Sequence, residues 1–196
     1  IKKRFAKPIR YVAVGTIVLL ITVSLYYVVN SVLQPHQRDR IDVWLSPGQS
    51  NPQGSLYNLI QSKMAISSGG ITGKGFLQGY MTRLDYVPEQ STDFIFTVIG
   101  EEQGFLGAAS VIILFGILIF YLLHMAQQQR QQFNKYFILC VASYITVHVI
   151  INIGMTLGLM PVVGIPLPLI SRGGSAFIAF SLMLGIIQSY NYHRDA

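Results

Sequence analysis

The sequence predicts an all-α polytopic membrane protein with four transmembrane helices and a long, partly helical extracytoplasmic loop. Three observations carry this expectation. Hydrophobic residues make up 52% of the chain and charged residues only 11%, and the apolar residues fall into long blocks instead of recurring periodically as in a soluble domain. Several of these blocks approach the roughly 20 residues needed to cross the hydrocarbon layer. Five of the fourteen basic residues (Lys2, Lys3, Arg4, Lys7 and Arg10) stand directly before the first block, the pattern of a cytoplasmic anchor.

The expected spans are residues 11–33, 104–124, 136–159 and 174–190. Starting from the basic cluster, the first runs outward. The short connection 127–135, with Arg130 and Lys135, returns to the cytoplasm, and the tail with Arg194 ends there too. The chain begins at Ile1 and shows no signal peptide with a small-residue cleavage site, so it reads as the later part, residues 1–196, of one larger membrane domain. The formal charge of +6 belongs largely to the anchor and is no sign of nucleic acid binding. Cys140 stands alone inside an apolar run, where a small buried hydrophobe is the ordinary reading, and there is no disulfide framework or cysteine-based metal site.

Between the first two spans lies the loop 35–93, too long for a simple connector. It is rich in Gly, Pro, Ser and Gln, yet Leu56, Leu59, Ile60 and Met64 follow helical spacing. That spacing predicts a short amphipathic helix at the membrane surface. Five basic residues (Arg38, Arg40, Lys63, Lys74, Arg83) balance five acids (Asp39, Asp42, Asp85, Glu89, Asp93). The loop therefore reads as a folded polar surface and not as a polybasic patch.

Several residues are of a type to carry chemistry. Asp93 sits where the loop enters the next span, beside Phe94, Ile95 and Phe96, and such surroundings raise a carboxylate pKa. The alternative is a helix N-cap. Glu101 and Glu102 follow on the same expected helix as costly intramembrane acids, either functional or paired with a basic loop residue. Residues 67–75, with Gly69, Gly70, Gly73, Lys74 and Gly75, resemble a phosphate cradle or a flexible turn. No Walker loop is present, because Gly75 stands where Ser or Thr would follow the lysine. His148, Asn152 and Thr156 share one helix face, as interhelical hydrogen-bonding groups or as a proton relay. The apolar segment 160–168 is broken by Pro and Gly. Ser171, Arg172, Gly173, Gly174 and Ser175 then open the last span, with Arg172 placed to anchor a lipid phosphate or to snorkel to the interface.

Taken together, the blocks 61–66, 68–75, 87–96, 100–104, 152–155, 161–168 and 173–175 resemble the SEDS family of bacterial cell-wall proteins. The forms Gly73-Lys74-Gly75 and Pro88-Glu89-Gln90 are more similar to its RodA branch than to the division paralogue FtsW. Two positions depart from the family pattern: Ser91 stands where His is frequent, and Arg172 where an aromatic residue is common.

The resemblance implies a multi-pass protein of the bacterial cytoplasmic membrane, with about ten spans in the complete family member and this chain its last four. It implies polymerisation of lipid II into peptidoglycan glycan strands, with undecaprenyl pyrophosphate as the leaving group and a class B penicillin-binding protein as transpeptidase partner. Asp93 would be the general base. Substrate contacts would fall to Gln61, Ser62, Lys63, Lys74, Arg83 and Arg172, the basic side chains offsetting charge on the pyrophosphate. Glu101, Glu102, the glycines at 69, 70, 73, 75, 173 and 174, and Ser175 would support the site. A divalent cation could share the charge, although spacing shows no ligand set for one, and no other cofactor is implied. A lipid flippase and a non-catalytic scaffold are the rival readings.

Overall fold

The computed structural model describes residues 15–24, 27, 33–46, 48 and 54–192. The basic cluster at 2–10, residues 11–14, 25–26 and 28–32 of the first expected span, and Arg194 lie outside the described residues. Those described form eight helices and no strand: α1 Gly15–Ser24, α2 Pro35–Leu45, α3 Ser55–Gly69, α4 Tyr80–Arg83, α5 Ile95–Glu102, α6 Gly104–Gln128, α7 Gln132–Leu157 and α8 Gly174–Tyr192.

Helices α6 and α7, of 25 and 26 residues, are each about 38 Å long at 1.5 Å per residue. Both are long and apolar enough to cross a membrane, and α1 and α8 are shorter apolar helices over their described lengths. A three-residue turn joins α6 to α7, so they pack as a hairpin. Phe115, Leu122 and Met125 of α6 meet Ile138, Ala142, Ile145 and Val149 of α7, and Phe180 and Ile187 of α8 close the cluster. The outer face of α6 exposes Phe105, Leu106, Ile113, Leu114, Ile117 and Phe120. A contiguous apolar face of this kind suits lipid, not water. Cys140 lies on the exposed side of α7, not buried as its apolar run suggests.

The described residues of 35–93 are folded. Pro35 opens α2 at a position where its missing N–H costs nothing, and the Gln37 side chain accepts from the Gln34 N–H at 3.0 Å. Helix α3 forms where hydrophobic spacing places one, but a different face is covered. Leu56, Leu59, Ser62, Ala65 and Gly69 are buried, while Ile60 and Met64 are exposed. The reason is that α3 packs on α5 and α7 instead of lying free on a surface: the Ser62 hydroxyl bonds Thr97 Oγ1 at 2.6 Å and the Thr156 carbonyl at 2.9 Å.

Gly69 marks the close approach of α3 and α5. A Cβ there would overlap the Gly100 carbonyl oxygen and come 2.9 Å from that of Glu101. Backbone cannot yield as a side chain can, so Gly69→Ala should destabilise the protein by about 1–3 kcal/mol, the usual range for overpacking. Thermal unfolding of the detergent-solubilised protein checks this, and an unchanged midpoint would mean that α3 and α5 do not meet as described.

The helix expected to run from Asp93 into the next span is broken into two. α5 ends at Glu102, and α6 begins at Gly104 with φ +67, a conformation that favours glycine. The first amides of α6 are still satisfied, since Phe105 N donates to Gly70 O and Leu106 N to Ile71 O.

After α7 the chain runs without regular structure through 158–173, interrupted by Pro161, Pro166 and Pro168, which cannot continue a helix. This strap lies back across the loop region. Arg40 Nη1 donates to Val163 O at 2.7 Å and Trp44 Nε1 to Leu159 O at 3.1 Å.

Candidate active site

Asp93 lies in the turn before α5. Phe94, not Asp93, occupies the N-cap position of that helix, with no side-chain cap bond, so the capping alternative does not hold. The turn satisfies its own amides, because Thr92, Asp93 and Phe94 all donate to Glu89 O. The three carbonyls of the same stretch are held from elsewhere. Ser91 O accepts from Arg172 N at 2.8 Å, Thr92 O from Ser171 Oγ at 2.6 Å, and Asp93 O from Asn152 Nδ2 at 2.8 Å. Two of these donors belong to the strap and one to α7. The backbone at Asp93 is thus bonded on both sides, while its half-buried side chain faces the strap, where a Cβ on Gly164 would come 3.0 Å from Oδ2.

Burial is the main reason that the Asp93 carboxyl titrates above its ordinary value. The nearby Glu89 carboxylate pushes the same way, and Arg40 on α2 partly opposes both. A carboxyl raised in this way is more basic than one in water, which suits proton abstraction.

Glu101 organises the neighbouring loop. It is fully buried, and Oε1 receives Lys74 Nζ at 2.8 Å and Met81 N at 3.0 Å, while Oε2 receives Thr82 N at 2.9 Å. Burial alone would raise its pKa, but these donors outweigh it and hold the carboxyl below its ordinary value. Lys74 is therefore committed to an ion pair, and it also donates to Ser68 Oγ at 2.7 Å. The phosphate-cradle reading fails for a related reason. Gly73 N donates back to Gly69 O at the end of α3, and Lys74 N to Glu101 O and Gly75 N to Glu102 O stitch the glycine-rich turn onto α5, so the three amides are already used.

The other expected site residues are dispersed around this centre. Arg83 and Glu102 line a cavity of about 450 Å³ with Leu77, Thr82, Gln90, Ser91, Ile95 and Val98. The Lys63 side chain lies against the C-terminus of α7, where a Cβ at Gly158 would collide with it and where a cation is favoured by the helix dipole. Gln61 is half-buried on α3, and Ser62 is wholly buried between helices, a packing position and not an open one. The Arg172 side chain is exposed beside Gly173, Gly174 and Ser175 at the start of α8, and Gly70, with φ +60, ends α3. His148 Nδ1 lies 3.3 Å from Pro166 O, and its ring packs against Tyr144 and Phe180. Sequence reasoning missed Arg40, Glu89, Gly164 and Ser171 as neighbours of Asp93. The motif blocks containing Gly164 and Glu89 were visible, but nothing local joins them.

Two helices long and apolar enough to cross a membrane, packed against a folded polar loop, are consistent with a membrane protein, and sequence comparison gives the family. The profile of the cell cycle protein family that takes in FtsW, RodA and SpoVE matches residues 5–196, and the chain belongs to that family. Among its relatives, the peptidoglycan glycosyltransferase MrdB of Escherichia coli K12 is 38% identical over 190 residues, which is 97% of this chain and 51% of MrdB. The peptidoglycan glycosyltransferase RodA of Treponema pallidum is 37% identical over 82% of this chain and 37% of its own. A solved chain from a peptidoglycan synthase complex that coordinates polymerization and crosslinking superposes with a TM-score of 0.71 at 30% identity, covering 95% of this chain and 50% of that one. The chain thus spans about half the length of MrdB and of that solved chain.

Proposed function

We propose that the full-length protein is a peptidoglycan glycosyltransferase of the bacterial cytoplasmic membrane, polymerising lipid II into glycan strands for cell elongation. The observation that carries this reading is Asp93: its backbone is bonded on both sides, its carboxyl titrates above its ordinary value, and relatives with this sequence pattern are named as peptidoglycan glycosyltransferases. In this reading α1, α6, α7 and α8 cross the membrane, and the loop between α1 and α6 faces outward, where the glycan is made.

Asp93 takes the proton from the acceptor sugar hydroxyl as that oxygen bonds the donor's anomeric carbon, and undecaprenyl pyrophosphate departs. Arg83 on the cavity wall and the exposed Lys63 and Arg172 supply positive charge for the pyrophosphate, a task a divalent cation could share. Lys74 contributes by fixing the loop through Glu101. A class B penicillin-binding protein is the partner, a proposal supported by the resemblance to a chain from a complex that couples polymerization to crosslinking.

The test is to incubate the purified full-length protein and its transpeptidase partner with fluorescently labelled lipid II and to resolve the products by length. Polymer is expected. Movement of lipid II across vesicles without polymer would replace this reading with a flippase, and neither outcome would indicate a scaffold.

A further inference from the structure

Two polar side chains are spent on the backbone beside Asp93. Asn152, fully buried on α7, divides its amide hydrogens between Asp93 O at 2.8 Å and Ile165 O at 2.7 Å. Its Oδ1 is buried without a partner. The amide orientation is nonetheless settled, since turning it would aim an oxygen at two carbonyls and strand the hydrogens. Ser171, also buried, receives Leu167 N at 2.7 Å and donates to Thr92 O at 2.6 Å. Each residue therefore bonds the strap with one contact and the catalytic turn with another.

We propose that Asn152 and Ser171 are positioning residues that clamp the strap onto the Thr92–Asp93 backbone and thereby set where the Asp93 carboxylate stands. The inference rests on the proposed role of Asp93 as base. Neither side chain reaches open space, so their influence passes through Asp93. A buried amide with one unpartnered oxygen is a costly element, and a fixed reacting group is what that cost secures. The charged groups acting on the Asp93 carboxyl are Glu89 from the preceding turn and Arg40 from α2. From α7 Asn152 reaches the Asp93 backbone, and from the strap Gly164 lies near its carboxyl while Arg172 meets the same turn through its backbone N–H to Ser91 O.

The test compares Asn152→Ala and Ser171→Ala with the unaltered full-length protein in complex with its partner, measuring kcat, KM and the pH dependence of lipid II polymerisation. Loss of position should lower kcat by about tenfold to a hundredfold and leave KM within about twofold, because an interaction that matters only in the transition state leaves ground-state binding unchanged. The acid limb of the pH profile should move to lower pH as the loosened carboxyl gains water. A fall in the folded fraction scales the whole profile without moving its limb, so this readout separates positioning from stability. Should Asn152→Ala fail to accumulate, Ser171→Ala decides alone, since it removes a single oxygen. A limb that stays in place overturns the clamp. Asp93→Asn distinguishes the two levels: if it retains polymerisation the base assignment falls and the clamp with it, whereas an inactive Asp93→Asn beside unmoved limbs removes the clamp only.

Discussion

Asp93→Asn should lower the rate of lipid II polymerisation by about a hundredfold to ten-thousandfold, the span attributed to a positioned general base. Asparagine preserves shape and polarity but cannot take a proton at working pH. The unaltered protein should lose activity as pH falls through a value higher than that of a carboxyl in water, because burial and Glu89 raise the Asp93 pKa more than Arg40 lowers it. Linkage then fixes the sign of the stability effect. An acid whose folded pKa lies above its unfolded value binds protons more tightly when folded, so folding becomes less favourable as pH rises between the two values. Removing the charge removes that penalty. The Asp93→Asn protein should therefore melt no lower than the parent at neutral pH, and a marked fall in melting temperature would mean that lost activity reflects lost structure.

The second large effect is expected at Glu101. Glu101→Ala leaves Lys74 Nζ and the amides of Met81 and Thr82 without their acceptor. Breaking a buried ion pair by removing one partner costs about 3–5 kcal/mol. Lys74 is 30% exposed and can turn to water, so a loss near 3 kcal/mol is expected from the lower end of that range. Glu101→Gln keeps an oxygen for the backbone donors and should lose less. So should Lys74→Ala, because Glu101 then retains two amide partners. The pH dependence runs opposite to that of Asp93. The folded pKa of Glu101 is held below its ordinary value of 4.5, so its contribution is complete above that value and is lost as pH falls through the folded one. Thermal melts of the three variants and an acid titration of the parent check the order. A Glu101→Ala melt equal to the parent's would remove the node from the account of stability.

Much of the helical framework was legible from composition and block length. α6, α7 and α8 fall on the expected runs with shifts of a few residues at their ends, because a long apolar block leaves little choice of structure in a membrane. The helix over 55–69 was legible from spacing, but its buried face was not. Ser62 is covered because Thr97 and Thr156 supply partners for its hydroxyl, and such partners are invisible in a local window. The break at Gly104 was hidden for a related reason. A glycine before an apolar run reads as tolerated until φ +67 shows the turn. At the candidate site, the pairing of an acid with a loop base, Glu101 with Lys74, could be read directly, since charge near a membrane boundary is costly enough to stand out. The glycine-rich turn misled because a phosphate cradle and a turn stitched to a neighbouring helix share the same residues. They differ only in where their amides point.

The three captured carbonyls also say something about how the protein is made. Asn152 and Ser171 lie 59 and 79 residues beyond their acceptors, and synthesis runs from the N-terminus. Asp93 therefore emerges well before the side chains that fix it. Until the ribosome has delivered residue 171 and the strap has folded back over α2, the acid hangs on a turn bonded only to itself. On the proposed role of Asp93, a nascent chain is in effect unarmed until the strap docks.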